Sequence, residues 1–170
     1  MRANIIKVVE MLSFKYRDIT CCFTGHRPQK LRIPEKEVIE GLTEAVMRAY
    51  EDGYRYFITG MAMGVDIWAG EAVADLKEDR RDICLIAAVP YPGQEKNFPH
   101  EWKIRYAKLL EKCNQAEIIS DRYQKGVFHG RDRWMVDHSS MIIAVYNGEP
   151  GGTAATISYA KKEGLELRGI

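Results

Sequence analysis

Short apolar runs alternate along this chain with longer segments whose apolar residues recur at helical spacing, and this alternation limits the folds open to it. The runs resemble β-strands, and the intervening segments, such as the one containing Val38, Leu42 and Val46, resemble helices with one apolar face. We predict about six strands. They are Ile19–Thr24, Tyr56–Thr59, Ile83–Val89, Glu117–Ile119, Met141–Tyr146 and Leu165–Ile170.

The near-continuous apolar character of these runs indicates strands that are buried on both faces. Strands of this kind, separated by helices, form a parallel sheet with right-handed crossovers and helices on both sides. We therefore predict an α/β, doubly wound domain over residues 18–170, preceded by an N-terminal extension over residues 1–17. A chain of 170 residues suits one such domain.

Charge and hydropathy exclude several classes of protein. The chain has 25 Lys and Arg against 24 Asp and Glu, a net charge of +1, and 46% hydrophobic residues. This balance excludes a disordered polyelectrolyte and a strongly basic nucleic-acid wrapper. Neither an apolar stretch of membrane-spanning length nor a signal peptide is present, so we expect a cytoplasmic protein with no membrane partner.

The cysteines and histidines lack the spacing of a metal site. The sequence contains no CxxC pair, and the histidines are far apart, so we expect reduced core cysteines and no bound metal. The residues concerned are Cys21, Cys22, Cys84, Cys113, His26, His100, His129 and His138.

Glycine-rich loops follow several of the predicted strands. In a doubly wound sheet, ligands bind beyond the carboxyl ends of the strands, so these loops should converge on one site. A glycine turn that opens a helix presents backbone amides to an anion, although many such turns serve only chain reversal. The spacing matches neither the dinucleotide-binding nor the Walker motif. The loops are Thr24–Pro28, Thr59–Asp66, Pro90–Gln94 and Asn147–Thr153.

Polar side chains in these loops suggest how a ligand is held. Arg27 could clamp a phosphate or carboxylate, or simply close a surface loop. His26 could donate a proton or form a pocket wall, and Tyr91 could stack on a base.

Two carboxylates are the candidates for chemistry. Asp66 lies in the first turn of a helix, where capping is the ordinary role of an aspartate. Glu71 follows five residues later on a different helix face, so the two do not form a simple acid/base pair. A charged segment, Arg131, Asp132, Arg133 and Asp137, is interpreted as a solvated helix face with an Arg133–Asp137 ion pair.

Taken together, the motifs resemble those of the YpsA-like family of the SLOG superfamily. They are TGHR at 24–27, GMAMGVDIWAGE at 60–71, PYPGQ at 90–94 with Trp102, and PGGT at 150–153. The resemblance covers about residues 18–170. It implies a Rossmann-like, mostly parallel sheet whose glycine loops hold a nucleotide or nucleotide-derived ligand. The wider superfamily includes the Smf/DprA DNA-processing proteins and the LOG phosphoribohydrolases.

The sequence departs from the LOG motif PGGxGTxxE. After Pro150-Gly151-Gly152 it continues Thr153-Ala154-Ala155, without the second glycine or the glutamate, so a LOG-type hydrolase is not indicated. Glu71 could supply a carboxylate from another helix. The near-zero net charge argues against a nucleic-acid partner.

Our leading hypothesis is a sensor or regulator that binds a nucleotide, an NAD-like or an ADP-ribose-like molecule. The alternative is an enzyme that cleaves or transfers at a nucleotide N-glycosidic bond, an N-glycosidase or a phosphoribohydrolase-like enzyme, with Glu71 or Asp66 as the catalytic candidate. A DNA-processing accessory protein comes third. Protein partners and homo-oligomers stay open. The predicted ligand-binding residues are Thr24, Gly25, His26, Arg27, Gly60, Met61, Ala62, Gly64, Asp66, Glu71, Tyr91, Gln94, Gly148, Gly151, Gly152 and Thr153.

Overall fold

A computed structural model describes residues 15–170, which form a parallel six-stranded sheet with helices on both faces. Residues 1–14 of the predicted N-terminal extension lie outside the described residues. The predicted α/β, doubly wound fold is confirmed. The strands are β1 (Thr20–Gly25), β2 (Tyr56–Thr59), β3 (Cys84–Val89), β4 (Gln115–Ile118), β5 (Met141–Val145) and β6 (Glu166–Gly169), and the helices are α1 (Glu35–Glu51), α2 (Val65–Asp79), α3 (His100–Lys112), α4 (Val127–Asp137) and α5 (Gly152–Lys162).

The order of the strands places a crevice next to β1. The sheet runs β4-β3-β2-β1-β5-β6, so the chain moves outward from β1 to β4 and then returns to the other side of β1. In register, Cys22 of β1 pairs with Ile58 of β2, and Gly25 pairs with Val145 of β5. The connections leave β1 and β5 in opposite directions, and ligands bind at such a switch point in doubly wound folds.

Each face of the sheet carries its own core. Helices α1, α2 and α3 cover one face, where Phe23 and Phe57 are buried. Helices α4 and α5 cover the other face, over Ile58 and Ile142. This two-sided cover explains why the central strands read as continuous apolar runs.

The cysteines of the described residues are free, and Cys21 and Cys22 are fully buried. Cys21 and Cys22 are adjacent in β1 and therefore belong to the cores on opposite faces of the sheet. Burial raises the pKa of Cys22 to about 12, which keeps its thiol protonated and unreactive.

From residue 15 onward, no helix is both long and apolar enough to cross a membrane.

Candidate functional site

A cleft of about 500 Å³ opens at the carboxyl edge of the sheet, beside the switch point between β1 and β5. The loops after β1, β2, β3 and β5 contribute to it, together with the first turns of α4. Many of the residues predicted from the sequence line this cleft. They are Thr24, Gly25, His26, Arg27, Ala62, Asp66, Tyr91, Gln94, Gly151, Gly152 and Thr153.

Three predicted residues of the turn after β2 lie outside the cleft lining. A Cβ atom at Gly60 would lie 2.5 Å from Asp66 Oδ2, and one at Gly64 would lie 2.7 Å from Pro28 Cδ. Met61 is fully buried and has a positive φ of 60°. The amide of Met61 donates to Thr59 Oγ1 at 3.3 Å, so this donor already has an acceptor within the protein. Ala62 and Met63 of the same turn line the cleft, whereas Gly60, Met61 and Gly64 pack against other parts of the protein.

Glu71 and Gly148 also lie outside the cleft lining. Glu71 accepts two hydrogen bonds from Arg105, from Nε at 2.9 Å and from Nη2 at 2.5 Å. This bidentate pair joins α2 to α3 and occupies both oxygens of the carboxylate. Gly148 provides a positive φ of 88° in the loop that leads to α5.

The cleft floor holds a buried cluster of charges: Asp66, Arg131 and Asp132. Arg131 Nε donates to Asp132 Oδ1 at 2.7 Å, and Arg131 Nη1 lies 3.9 Å from Asp66 Oδ2. Arg131 also donates to the carbonyl of Gly60. The side chain of Arg131 is only 7% exposed, so the interpretation of this segment as a solvated helix face is wrong for Arg131.

Burial dominates the ionisation of this cluster. It raises the pKa of Asp66 from 3.8 to about 6, against the opposing attraction of Arg131. Burial alone would lower the pKa of Arg131, but Asp132 and Asp66 outweigh it and the pKa rises. Arg131 therefore stays charged, whereas Asp66 titrates close to neutral pH.

Two buried polar side chains at the cleft have an unpaired nitrogen. His26 and Gln94 are each 5% exposed, and neither His26 Nε2 nor Gln94 Nε2 has a hydrogen-bond partner among residues 15–170. A buried polar atom without a partner costs roughly 1–3 kcal/mol. Because both side chains line the cleft, a bound molecule could satisfy them.

Positive charge gathers on the side of the cleft formed by the loops after β1 and β5. Arg27 and Lys30 are exposed, line the cleft and form no ion pair with any described residue. Helix α5 begins at Gly152, after the N-cap residue Gly151, and no side chain of residues 15–170 caps it. Cβ atoms built on Gly151 and Gly152 would meet nothing within 4 Å, so the helix N-terminus is open to an approaching anion.

Two contacts hold these loops together. Asn147 Nδ2 donates to the carbonyl of Lys30 at 2.9 Å, and Arg32 forms an ion pair with Glu149. The cationic residues after β1 are thereby positioned next to the start of α5.

Aromatic rings form another part of the cleft wall. The ring of Tyr91 lies 6.0 Å from that of Phe128, edge to face, and Phe128 is 37% exposed. Exposed rings that are held by a neighbouring ring are suited to stacking on a planar ligand.

Sequence reasoning missed several residues that line the cleft. One signal was available for Arg131, which interrupts the apolar stripe formed by Val127 and Met135 at intervals of four residues on α4. A charged side chain on a buried helix face needs a partner of opposite charge, and Arg131 has Asp132 and Asp66. The residues missed are Lys30, Met63, Asn97, Phe98, Phe128, His129, Arg131, Asp132 and Pro150.

Solved structures of DNA processing protein A (DprA) share this fold. The protein from Helicobacter pylori, studied for its single-stranded DNA binding mode, superposes with a TM-score of 0.62 at 17% identity, covering 94% of this chain and 67% of that one. DprA from Streptococcus pneumoniae gives a TM-score of 0.65 at 16% identity, covering 91% of this chain and 50% of that one.

Two relatives in sequence come from Bacillus species. The uncharacterized SPbeta prophage-derived protein YoqJ of Bacillus subtilis (strain 168) is 34% identical over 147 residues, which cover 79% of this chain and 84% of the relative. A UPF0398 protein of Bacillus cereus (strain B4264) is 27% identical over 150 residues, 83% of this chain and 82% of the relative. The YpsA family model, described as the YspA SLOG family, matches residues 21–166. The resemblance noted in the sequence is thus confirmed, and the chain belongs to the YpsA family of SLOG proteins.

Proposed function

We propose that this protein is a sensor or regulator that binds an anionic, nucleotide-derived small molecule in the cleft at the carboxyl edge of the sheet. The observation that carries the proposal is the meeting of Arg27, Lys30 and the uncapped start of α5 in one cleft. These groups offer one anion a helix N-terminus and two cations that no residue from 15 to 170 pairs with.

The rest of the cleft favours a nucleotide over a simple anion. Its volume of about 500 Å³ exceeds what a phosphate needs and lies within the range of small-molecule sites. Tyr91 and Phe128 offer rings to a base. The unpaired nitrogens of His26 and Gln94 offer hydrogen bonds to polar atoms of the ligand.

Replacing Arg27 should weaken the binding of an anionic ligand without unfolding the protein. Arg27→Ala removes an exposed guanidinium that no described residue pairs with, so we expect binding to weaken by roughly 1.5–3 kcal/mol. Calorimetric titration with AMP, NAD and ADP-ribose measures the effect.

Arg81→Ala is the matched control, because Arg81 is also exposed, has no ion pair within residues 15–170 and does not line the cleft. An unchanged affinity in Arg27→Ala would contradict the proposed role of Arg27. Salt-sensitive binding of single-stranded DNA, with none of the three small molecules bound, would favour the DNA-processing alternative instead.

Cleavage of an N-glycosidic bond is a second candidate function, and Asp66 is the observation that favours it. A carboxyl on the cleft floor with a pKa of about 6 can donate or accept a proton near neutral pH. If the protein releases free base from AMP, we expect Asp66→Asn to abolish that release, and Glu71→Gln to retain it because Glu71 is paired with Arg105 outside the cleft lining. Chromatography of the free base measures both, and loss of release in Glu71→Gln alone would reverse the assignment.

A further inference from the structure

Asp132 is a carboxylate on the floor of a cleft whose rim is cationic. Its side chain is 22% exposed, against 11% for Asp66, so it is the more accessible of the two carboxylates. Oδ1 accepts from Arg131 Nε at 2.7 Å. Oδ2 lies 3.2 Å from Thr156 Oγ1, but the single hydroxyl proton of Thr156 also has the carbonyl of Gly152 as an acceptor at the shorter distance of 2.9 Å. The bond from Arg131 holds the carboxylate in place, and at least half of its acceptor capacity is left, mostly on Oδ2.

The remaining lone pairs of Asp132 can accept hydrogen bonds from a donor on a ligand. A phosphate placed there would be repelled, so the anionic part of a ligand belongs at Arg27, Lys30 and α5. An uncharged hydroxyl, in contrast, would form a short, charge-assisted hydrogen bond with a carboxylate held in place in advance. The unpaired nitrogens of buried His26 and Gln94 point independently to a polar ligand in the same cleft.

We propose that Asp132 accepts a hydrogen bond from a sugar hydroxyl of the ligand, so that the site selects ribonucleotides over their deoxy counterparts. This inference rests on the proposed binding of a nucleotide-derived ligand. It identifies the sugar hydroxyl as the part of that ligand which determines specificity. A site that binds a hydroxyl through a buried acceptor discriminates against the analogue lacking it, because the acceptor is then left unpaired.

The test compares AMP with its 2′-deoxy and 3′-deoxy analogues by calorimetric titration. We expect at least one deoxy analogue to bind roughly tenfold or more weakly than AMP. In Asp132→Asn this difference should shrink to less than about threefold, because the amide is a weaker, uncharged acceptor. Asp137→Asn, on the same helix but bonded to Tyr159 and outside the cleft lining, is the control and should keep the wild-type ratio.

Two outcomes would overturn the inference while leaving nucleotide binding intact. One is equal affinity for AMP and both deoxy analogues in the wild type, and the other is a preserved ratio in folded Asp132→Asn. If that variant does not fold, as judged by circular dichroism, Asp132→Ser, which also removes the carboxylate, takes its place in the same comparison.

Ribose 5-phosphate and 2-deoxyribose 5-phosphate separate this inference from the proposed function. If no nucleotide binds but these sugars bind with a preference for ribose that Asp132→Asn loses, the nucleotide proposal fails and the role of Asp132 stands. If neither nucleotides nor sugar phosphates bind, both are overturned.

Discussion

Gly25→Ala is expected to destabilise the protein by roughly 3 kcal/mol, because the end of β1 has no room for a side chain. A Cβ atom at Gly25 would lie 2.4 Å from Val65 Cγ2, 2.6 Å from Val65 Cβ and 2.7 Å from Val65 Cγ1. Val65 is buried at the start of α2 and is β-branched, so it cannot rotate away. Urea unfolding measures the change in the free energy of unfolding.

A double variant tests whether Val65 is the cause. Val65→Gly alone should also destabilise, since it removes a buried side chain from a helix, but it clears all three obstructing atoms. Gly25→Ala combined with Val65→Gly should therefore cost at least about 1 kcal/mol less than the two single changes together. Gly152→Ala is the control, because its added Cβ meets nothing within 4 Å, and its effect should stay within about 0.5 kcal/mol. Strict additivity would contradict the explanation.

Asp66→Asn should remove a pH dependence of stability that the wild type shows between about pH 4 and pH 6. Burial raises the pKa of Asp66 from 3.8 to about 6, so in this range the folded protein holds a proton that the unfolded chain releases. The wild type therefore loses stability from this group as the pH rises through the range, and the difference in pKa corresponds to about 3 kcal/mol.

Unfolding curves of the wild type and Asp66→Asn, taken from pH 4 to pH 7, measure this effect. The free energy of unfolding of Asp66→Asn, relative to the wild type, should rise by about 2 kcal/mol from pH 4 to pH 7 and level off above pH 6, because the full 3 kcal/mol is reached only below the unfolded-state pKa of 3.8. Asp121→Asn, at an exposed loop position, should give a curve parallel to the wild type. A constant offset between Asp66→Asn and the wild type would show that burial of the charged form is not costly.

The edge strand β4 shows where pattern-based prediction loses precision. The sequence predicts a strand over Glu117–Ile119, but the structure begins it at Gln115 and ends it at Ile118. An edge strand is only partly covered, so its residues need not be apolar, and Ile118 is 52% exposed. The central strands β1 and β5 are covered on both faces, and their predicted bounds lie within one residue of the observed ones.

The α/β architecture and the convergence of four loops on one edge of the sheet could be predicted from the sequence. Both follow from local patterns, because parallel strands joined by helices must place all their carboxyl ends on the same side. Which side chains on those elements meet in the cleft could be seen only in the tertiary structure. Arg131 is interpreted from the sequence as solvated, but it is buried in the cleft floor. Glu71 is a candidate catalytic residue from the sequence, but its carboxylate is paired with Arg105. The direction of a side chain depends on how its helix is rotated and packed against distant elements, and such contacts leave only weak traces in local spacing.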